Sequence, residues 1–383
     1  MTSHERVDVA VIGRGLIGSG AGRHLAESGR SVALIGPGEP SDWNASGGPF
    51  SSHHDQGRIT RVAGRNAMWT EVAALACARY ADIQARSGIG FHTPRGVLVA
   101  YPDAADWVDR AEHWGSDARL VDPDWVRSET GVAIENGLDI AFEGAPAGHI
   151  NPRRLVAAQT RLTELAGGAV IDDAVRAVER RNGGFELSGA FGSIMADRIL
   201  VSTGGFGSEL FDWKLDVARR ARTIVMARLA DDGRIPSLIL DQPPDDRILE
   251  VYWVPPVEYP DGSVRIKIGG NMKDTILLKP EELVDWFHGD GDPAEIDCLR
   301  NNLGALLPDA SLGDVATQPC VITGTSTGMP YIGMVDDGIG VVIAGNGSAA
   351  KSSDELGRLG ASLFGEAGWD SGLDPSLFTP QFG

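Results

Sequence analysis

The chain has 383 residues, enough for a large core and more than one lobe. Its apolar and charged fractions, 42% and 23%, are those of an ordinary globular protein. Its formal net charge of -19 argues against a nucleic-acid partner, because such binders displace counterions with basic patches. Cys77, Cys298 and Cys320 are far apart and odd in number, which argues against a disulfide framework or a zinc site and fits a reducing compartment. No apolar run is long enough to cross a bilayer, and Met1 to Gly13 enters a strand without a signal-peptide core, so the chain is expected in the cytoplasm, without membrane or metal.

In chain order, a strand over Val7 to Ile12, a Gly-rich turn, a helix to about Ser28 and a strand over Ser31 to Ile35 form one βαβ unit. Gly96 to Tyr101 and Ile248 to Val254 read as strands of a second lobe. Ala196 to Gly205 is a buried strand running into a glycine turn. Tyr252 to Asn271 reads as a hairpin, with Val264, Ile266 and Ile268 alternating and a turn at Pro260-Asp261-Gly262. Val341 to Ala344 is a short strand ending at Gly345. A helix follows, with capping-box spacing at Ser352 and Glu355 and with Leu356, Leu359 and Leu363 on one face. The class is α/β: a Rossmann-like dinucleotide-binding domain interleaved with a substrate domain on a mixed or antiparallel sheet. The expected segments are 1–88, 150–212 and 318–383 for the first, and 89–149 and 213–317 for the second.

Gly13-Arg14-Gly15-Leu16-Ile17-Gly18 carries the first chemistry. Gly13 permits the tight turn, Gly15 lets the backbone approach a pyrophosphate, and Gly18 lets the helix pack close to the strand. The helix N-terminus offers free N–H groups and positive dipole to phosphates. An acidic residue should end the second strand and hold a ribose hydroxyl; here the strand runs into Gly36-Pro37-Gly38, leaving Glu39 as the substitute. This motif alone does not separate NAD from FAD. The second glycine turn, at Thr203-Gly204-Gly205, favours a flavoprotein over a simple NAD-dependent dehydrogenase.

His53-His54-Asp55-Gln56-Gly57-Arg58-Ile59-Thr60-Arg61 resembles the monomeric sarcosine oxidase and N-methyltryptophan oxidase family, within the D-amino-acid-oxidase superfamily. The resemblance extends over essentially the whole chain, through Arg95 to Leu98, Ala196 to Gly205, Arg265 to Gly269, Pro319-Cys320 and Val341 to Gly357. It implies FAD held by Gly13, Gly15, Leu16, Ile17, Gly18, Ser52, His53, His54, Arg58, Thr203, Gly204, Gly345, Gly347, Ser348 and Lys351, with Glu39 on the ribose. It also implies a covalent thioether from Cys320 to the flavin 8α-methyl. Cys77, in an Ala-rich helical run, and Cys298 are expected to be core packing.

Four cations carry the implied catalysis. Arg58 packs by the flavin ring, where a fixed charge stabilises the reduced anionic form. Arg61 grips the substrate carboxylate with a planar fork, and Lys351 joins it; if Arg58 and Arg61 are helical, they share a face. Lys267 works through a water in oxygen activation and, opposite Ile266 and Ile268 on a strand, faces a cavity or solvent. Two positions depart from the family. Gly345 to Ala350 is built of small residues where an aromatic and a histidine are usual, and Ile322 replaces a tyrosine. The substrate side has therefore moved away from sarcosine. The expected reaction is oxidation of a secondary amine on an N-substituted or cyclic amino acid by oxygen, giving an imine and hydrogen peroxide, in a monomer or small homo-oligomer. The alternatives are a non-catalytic or electron-transferring FAD-binding subunit of a larger amine dehydrogenase assembly.

Overall fold

The computed structural model describes residues 6–383 except 136, 182, 208, 209, 232 and 367. Two eight-stranded sheets and a small three-stranded one make up its β structure. The first sheet has parallel strands at its centre. Arg6–Ile12 lies between Val32–Ile35 and Gly192–Val201, and the latter pairs onward with Ile339–Ile343, all parallel. These strands are apolar nearly throughout because both faces are covered, and Val9, Leu34, Leu200 and Val342 pack with the Leu16–Glu27 and Ala349–Ser362 helices.

The second sheet is largely antiparallel. Its order runs Val315–Gly324, Ala218–Arg228, Val264–Met272, Ile248–Glu258, Ser237–Asp241, Val97–Tyr101, Asp139–Glu143, Arg119–Val121. One face buries Val225, Trp253, Ile266 and Ile268 against the Pro293–Leu306 helix. The expected hairpin is present and longer, from Ile248 to Met272, with Gly262 at φ 75° in its turn. The stretch 318–324, grouped with the nucleotide lobe from sequence, is strand Val315–Gly324 of this second sheet.

Two local expectations fail for stated reasons. The Ala349–Ser362 helix starts three residues before Ser352, with Ser348 at its N-cap. Ser352 and Glu355 are therefore interior and buried, and Glu355 pairs with Arg79 and Arg358 instead of capping. Arg58 and Arg61 share no helix, since Arg58–Thr60 is a short strand paired with Gly148–Ile150. After it the chain bends, clamped by Glu143, whose carboxylate accepts the Val62 and Ala63 N–H groups at 2.9 Å each.

Candidate active site

A cavity of about 1300 Å³ runs from the first glycine turn to the open face of the second sheet. At its phosphate end, Gly13, Gly15, Leu16 and Ile17 form the wall. Gly13 sits at φ 108°, and a Cβ there would collide with the Ser202 carbonyl; Gly18 lies behind it, where a Cβ would collide with the Gly13 carbonyl. Gly15 is different. A Cβ on it would meet only His53 Nδ1, at 3.9 Å, so its backbone faces open space. Gly15 also caps the Leu16–Glu27 helix without any side-chain hydrogen bond, which leaves the first helical N–H groups free. That is the geometry a dinucleotide pyrophosphate requires.

The middle wall contains Ser52, His53, Arg58, Thr203, Gly204 and Cys320. His53 is buried, and burial with the neighbouring His54 and Arg58 charges pulls it well below the ordinary imidazole value, so it is neutral. Arg58 donates to the Ser52 and Gly57 carbonyls and pairs with Asp55. Cys320 opens onto the cavity, while the thiols of Cys77 and Cys298 are each pushed up to about 11 by burial. Cys298 is fully buried, and Cys77 packs between helices within 3.2 Å of the Thr60 hydroxyl.

Besides Gly18, three expected residues stand off the cavity. Glu39 is held by Arg153, which donates twice at 2.6 Å, and it does not reach the ribose side of the wall. His54 turns away and packs edge-on against Trp43 at 5.5 Å between ring centres; burial lowers it to about 4. Lys267 lies opposite Ile266 and Ile268, as strand alternation requires, but its ammonium does not line the cavity. The 51–58 segment covers it: Lys267 bonds Asp55 at 2.6 Å and the Gly57 carbonyl. Burial and the Arg58 charge push its pKa well below the lysine norm, opposed by the Cys320 thiol.

At the far end, Arg61 and Lys351 face the cavity from different elements. Both are buried, at 8% and 5% exposure. Arg61 stacks 5.0 Å above Trp107, donates to the Ala63 carbonyl, and leaves Nε without a partner. Burial lowers it to about 10, opposed by the charges of Glu143 and Glu250. Lys351 lies 5.6 Å over Trp69 and reaches only the Ser348 carbonyl, at 3.3 Å. Burial and the Arg61 charge depress it well below the lysine norm. Gly345, Gly347 and Ser348 line the approach to it.

The sheet face adds residues that sequence reasoning missed. Pairing registers place Glu250, Asn271, Arg222 and Cys320 side by side on four adjacent strands. Ile224 pairs with Gly269, so Arg222 stands opposite Asn271 two residues further along. All four line the cavity, with Tyr252 below them. Period-two counting from Lys267 would have flagged Asn271 on the same strand face; nothing in the sequence links Arg222 or Glu250 to it.

The fold and this glycine-cradled cavity define a dinucleotide-binding oxidoreductase. Residues 8–363 match the model of the FAD-dependent oxidoreductase (DAO) family, and the chain belongs to that family. It is an FAD-dependent oxidoreductase related to amino-acid and sarcosine oxidases. The chain is 25% identical over 225 residues to monomeric sarcosine oxidase of Arthrobacter sp. (strain TE1826), covering 57% of this chain and 56% of that one. It is 24% identical over 209 residues to N-methyl-L-tryptophan oxidase of Yersinia pestis (strain Pestoides F), covering 53% and 55%. The chain thus spans about half the length of the curated relatives it matches. Among solved structures, NikD, described as an unusual amino acid oxidase essential for nikkomycin biosynthesis, superposes with a TM-score of 0.79 at 17% identity, over 99% of this chain and 98% of that one. No helix among the described residues is long and apolar enough to cross a membrane.

Proposed function

We propose that the protein oxidises a secondary amine on an amino acid, an N-substituted or cyclic one, to an imine, with oxygen reduced to hydrogen peroxide. The observation that carries this reading is the convergence of Arg61 and Lys351. Both are buried on one cavity wall, and among the described residues neither pairs with a carboxylate. Two buried cations without an ion-pair partner are costly unless a ligand supplies the anion. An amino-acid carboxylate does so, with bidentate geometry available at Arg61.

FAD, when bound, would supply the redox chemistry that links amine oxidation to the reduction of oxygen. The protein binds and orients. Arg61 and Lys351 hold the carboxylate end, and Trp69 and Trp107 back them and keep water from both charges. Arg58, fixed by Asp55 and two carbonyls, places positive charge at the flavin side of the wall. Cys320, which opens onto the same cavity, is the proposed thioether partner of the flavin.

A second reading has one supporting observation. Lys267 is committed to Asp55 instead of the cavity, which favours an enzyme handing electrons to another protein over one using oxygen. A peroxide-release screen of FAD-loaded protein over N-methyl, cyclic and sugar-modified amino acids decides between them. Peroxide with at least one substrate supports the oxidase. Flavin bleaching by substrate without peroxide in air supports the electron-transferring enzyme, and no bleaching with any compound sinks both. Acid precipitation tests the tether: flavin should stay with the native chain and leave Cys320→Ala.

A further inference from the structure

The cavity holds a second pair of cations besides Arg61 and Lys351. Arg222 is 4% exposed and lines the cavity from the Ala218–Arg228 strand. Its hydrogen bonds go only to neutral oxygens: Asn271 Oδ1 at 3.1 and 2.9 Å, Thr275 Oγ1 at 3.4 Å and the Ala221 carbonyl at 2.7 Å. Arg220 follows two residues away on the same face and lines the same cavity. Its guanidinium lies over Gly324, where a side chain would collide with it. Among the described residues neither arginine forms an ion pair. After the Tyr252 phenol, the acid whose charge bears most on Arg222 is Glu295, on the helix behind the sheet, where it accepts the Thr223 N–H at 2.8 Å. The other acid in the row, Glu250, is already engaged by Arg65, Tyr101 and Asn271. Asn271 donates to Glu250 and accepts from Arg222, so its amide is oriented and the Arg222 fork is held in place.

A guanidinium taken out of water and given only neutral partners costs several kcal/mol. The fold leaves that cost uncompensated at Arg222, at a point where the cavity brings ligand. We propose that Arg222, with Arg220 beside it, binds a second anionic group of the substrate, so that the substrate is an amino acid with an additional carboxylate on its side chain or nitrogen substituent. This rests on the amine-oxidase reading above, in which Arg61 and Lys351 take the first carboxylate. It also accounts for the departure at Ile322, which pairs with Arg220 on the neighbouring strand and lines the cavity beside Gly347, where an added Cβ would meet only Ile322, at 3.7 Å.

Calorimetric titration of the FAD-loaded protein tests it with redox-inert acids. Succinate, glutarate and adipate are compared with butyrate, pentanoate and hexanoate, the monocarboxylates of the same chain lengths. At least one dicarboxylate should bind about tenfold tighter than its partner, a difference of ~1.4 kcal/mol. Arg222→Met should remove that preference, and Arg222→Lys, which keeps the charge without the fork, should retain part of it. Should Arg222→Met not fold, Arg220→Met carries the same comparison. Equal binding of both acid types to the native protein overturns the second subsite, as does a preference that survives both Met variants. Failure of every acid to bind overturns the carboxylate reading at Arg61 and Lys351 as well.

Discussion

The Ala349–Ser362 helix carries buried charge in two opposite arrangements, one turn apart. Asp354 is fully buried and saturated: Arg23 at 2.6 Å, Arg79 at 2.5 Å and Gln159 at 2.8 Å all donate to it. Lys351, three residues earlier, is also buried and has only a backbone carbonyl. Asp354 ties together the Leu16–Glu27, Ala67–Ser87 and Pro152–Leu165 helices, so its partners come from the fold itself. Lys351, Arg61 and Arg222 line the cavity and lack anionic partners there. The lesson is that burial alone does not separate structural charge from functional charge; completeness of pairing does.

The largest effect should come from breaking the saturated cluster. Asp354→Ala removes three hydrogen bonds at once, from Arg23, Arg79 and Gln159, although Glu27 and Glu355 stay with the two arginines, and should cost about 3–5 kcal/mol in a urea or thermal melt; a change below about 1 kcal/mol would erase the contrast. The unpaired side should behave in reverse. Arg61→Met should cost about 2–4 kcal/mol in kcat/KM, read as a fall of about 30- to 1000-fold, while the melting temperature of the ligand-free protein holds or rises. A melt as damaged as that of Asp354→Ala would place Arg61 with the structural charges.

Glu295 is an intermediate case. It accepts the Thr223 N–H, but its other oxygen has no partner, and burial raises it to about 7. Its folded value lies above the unfolded one near 4.5, so its contribution to stability is full at acid pH and is lost as pH rises through about 7. Glu295→Gln should therefore gain on the native protein between about pH 5 and pH 8, by up to about 3 kcal/mol. Parallel melting curves over that range would contradict the assignment. The smallest effect belongs to Trp69→Leu, which removes the ring beneath Lys351. It should weaken carboxylate binding by about 0.5–1 kcal/mol, a two- to fivefold rise in Kd.

Much of the nucleotide side was legible because it is local. Gly13, Gly15 and Gly18 are defined by contacts within one strand-turn-helix unit, and the four-residue strand Val32–Ile35 is where apolar patterning puts it. The Ala349–Ser362 helix was legible as a helix, but its start was not. Ser352 and Glu355 have capping spacing, yet Glu355 is drawn inward by Arg79, a partner distant in sequence. Lys267 shows the same limit. Alternation gave its direction correctly, while its occupancy by Asp55 depends on how the 51–58 segment folds across the sheet.

By itself the sequence determined the α/β class, the glycine cradle and the presence of Arg61, Lys351 and Cys320 in family-like order. These follow from short-range periodicity, backbone freedom at glycine and residue type, all of which are local. Only the tertiary structure decided that Glu250, Asn271, Arg222 and Cys320 form one row, that Glu39 and His54 leave the cavity, and which buried cations go without partners. Strand register joins residues up to 98 positions apart, from Arg222 to Cys320, and charge neutralisation depends on what surrounds a group in space. Neither quantity is carried by any one segment of the chain.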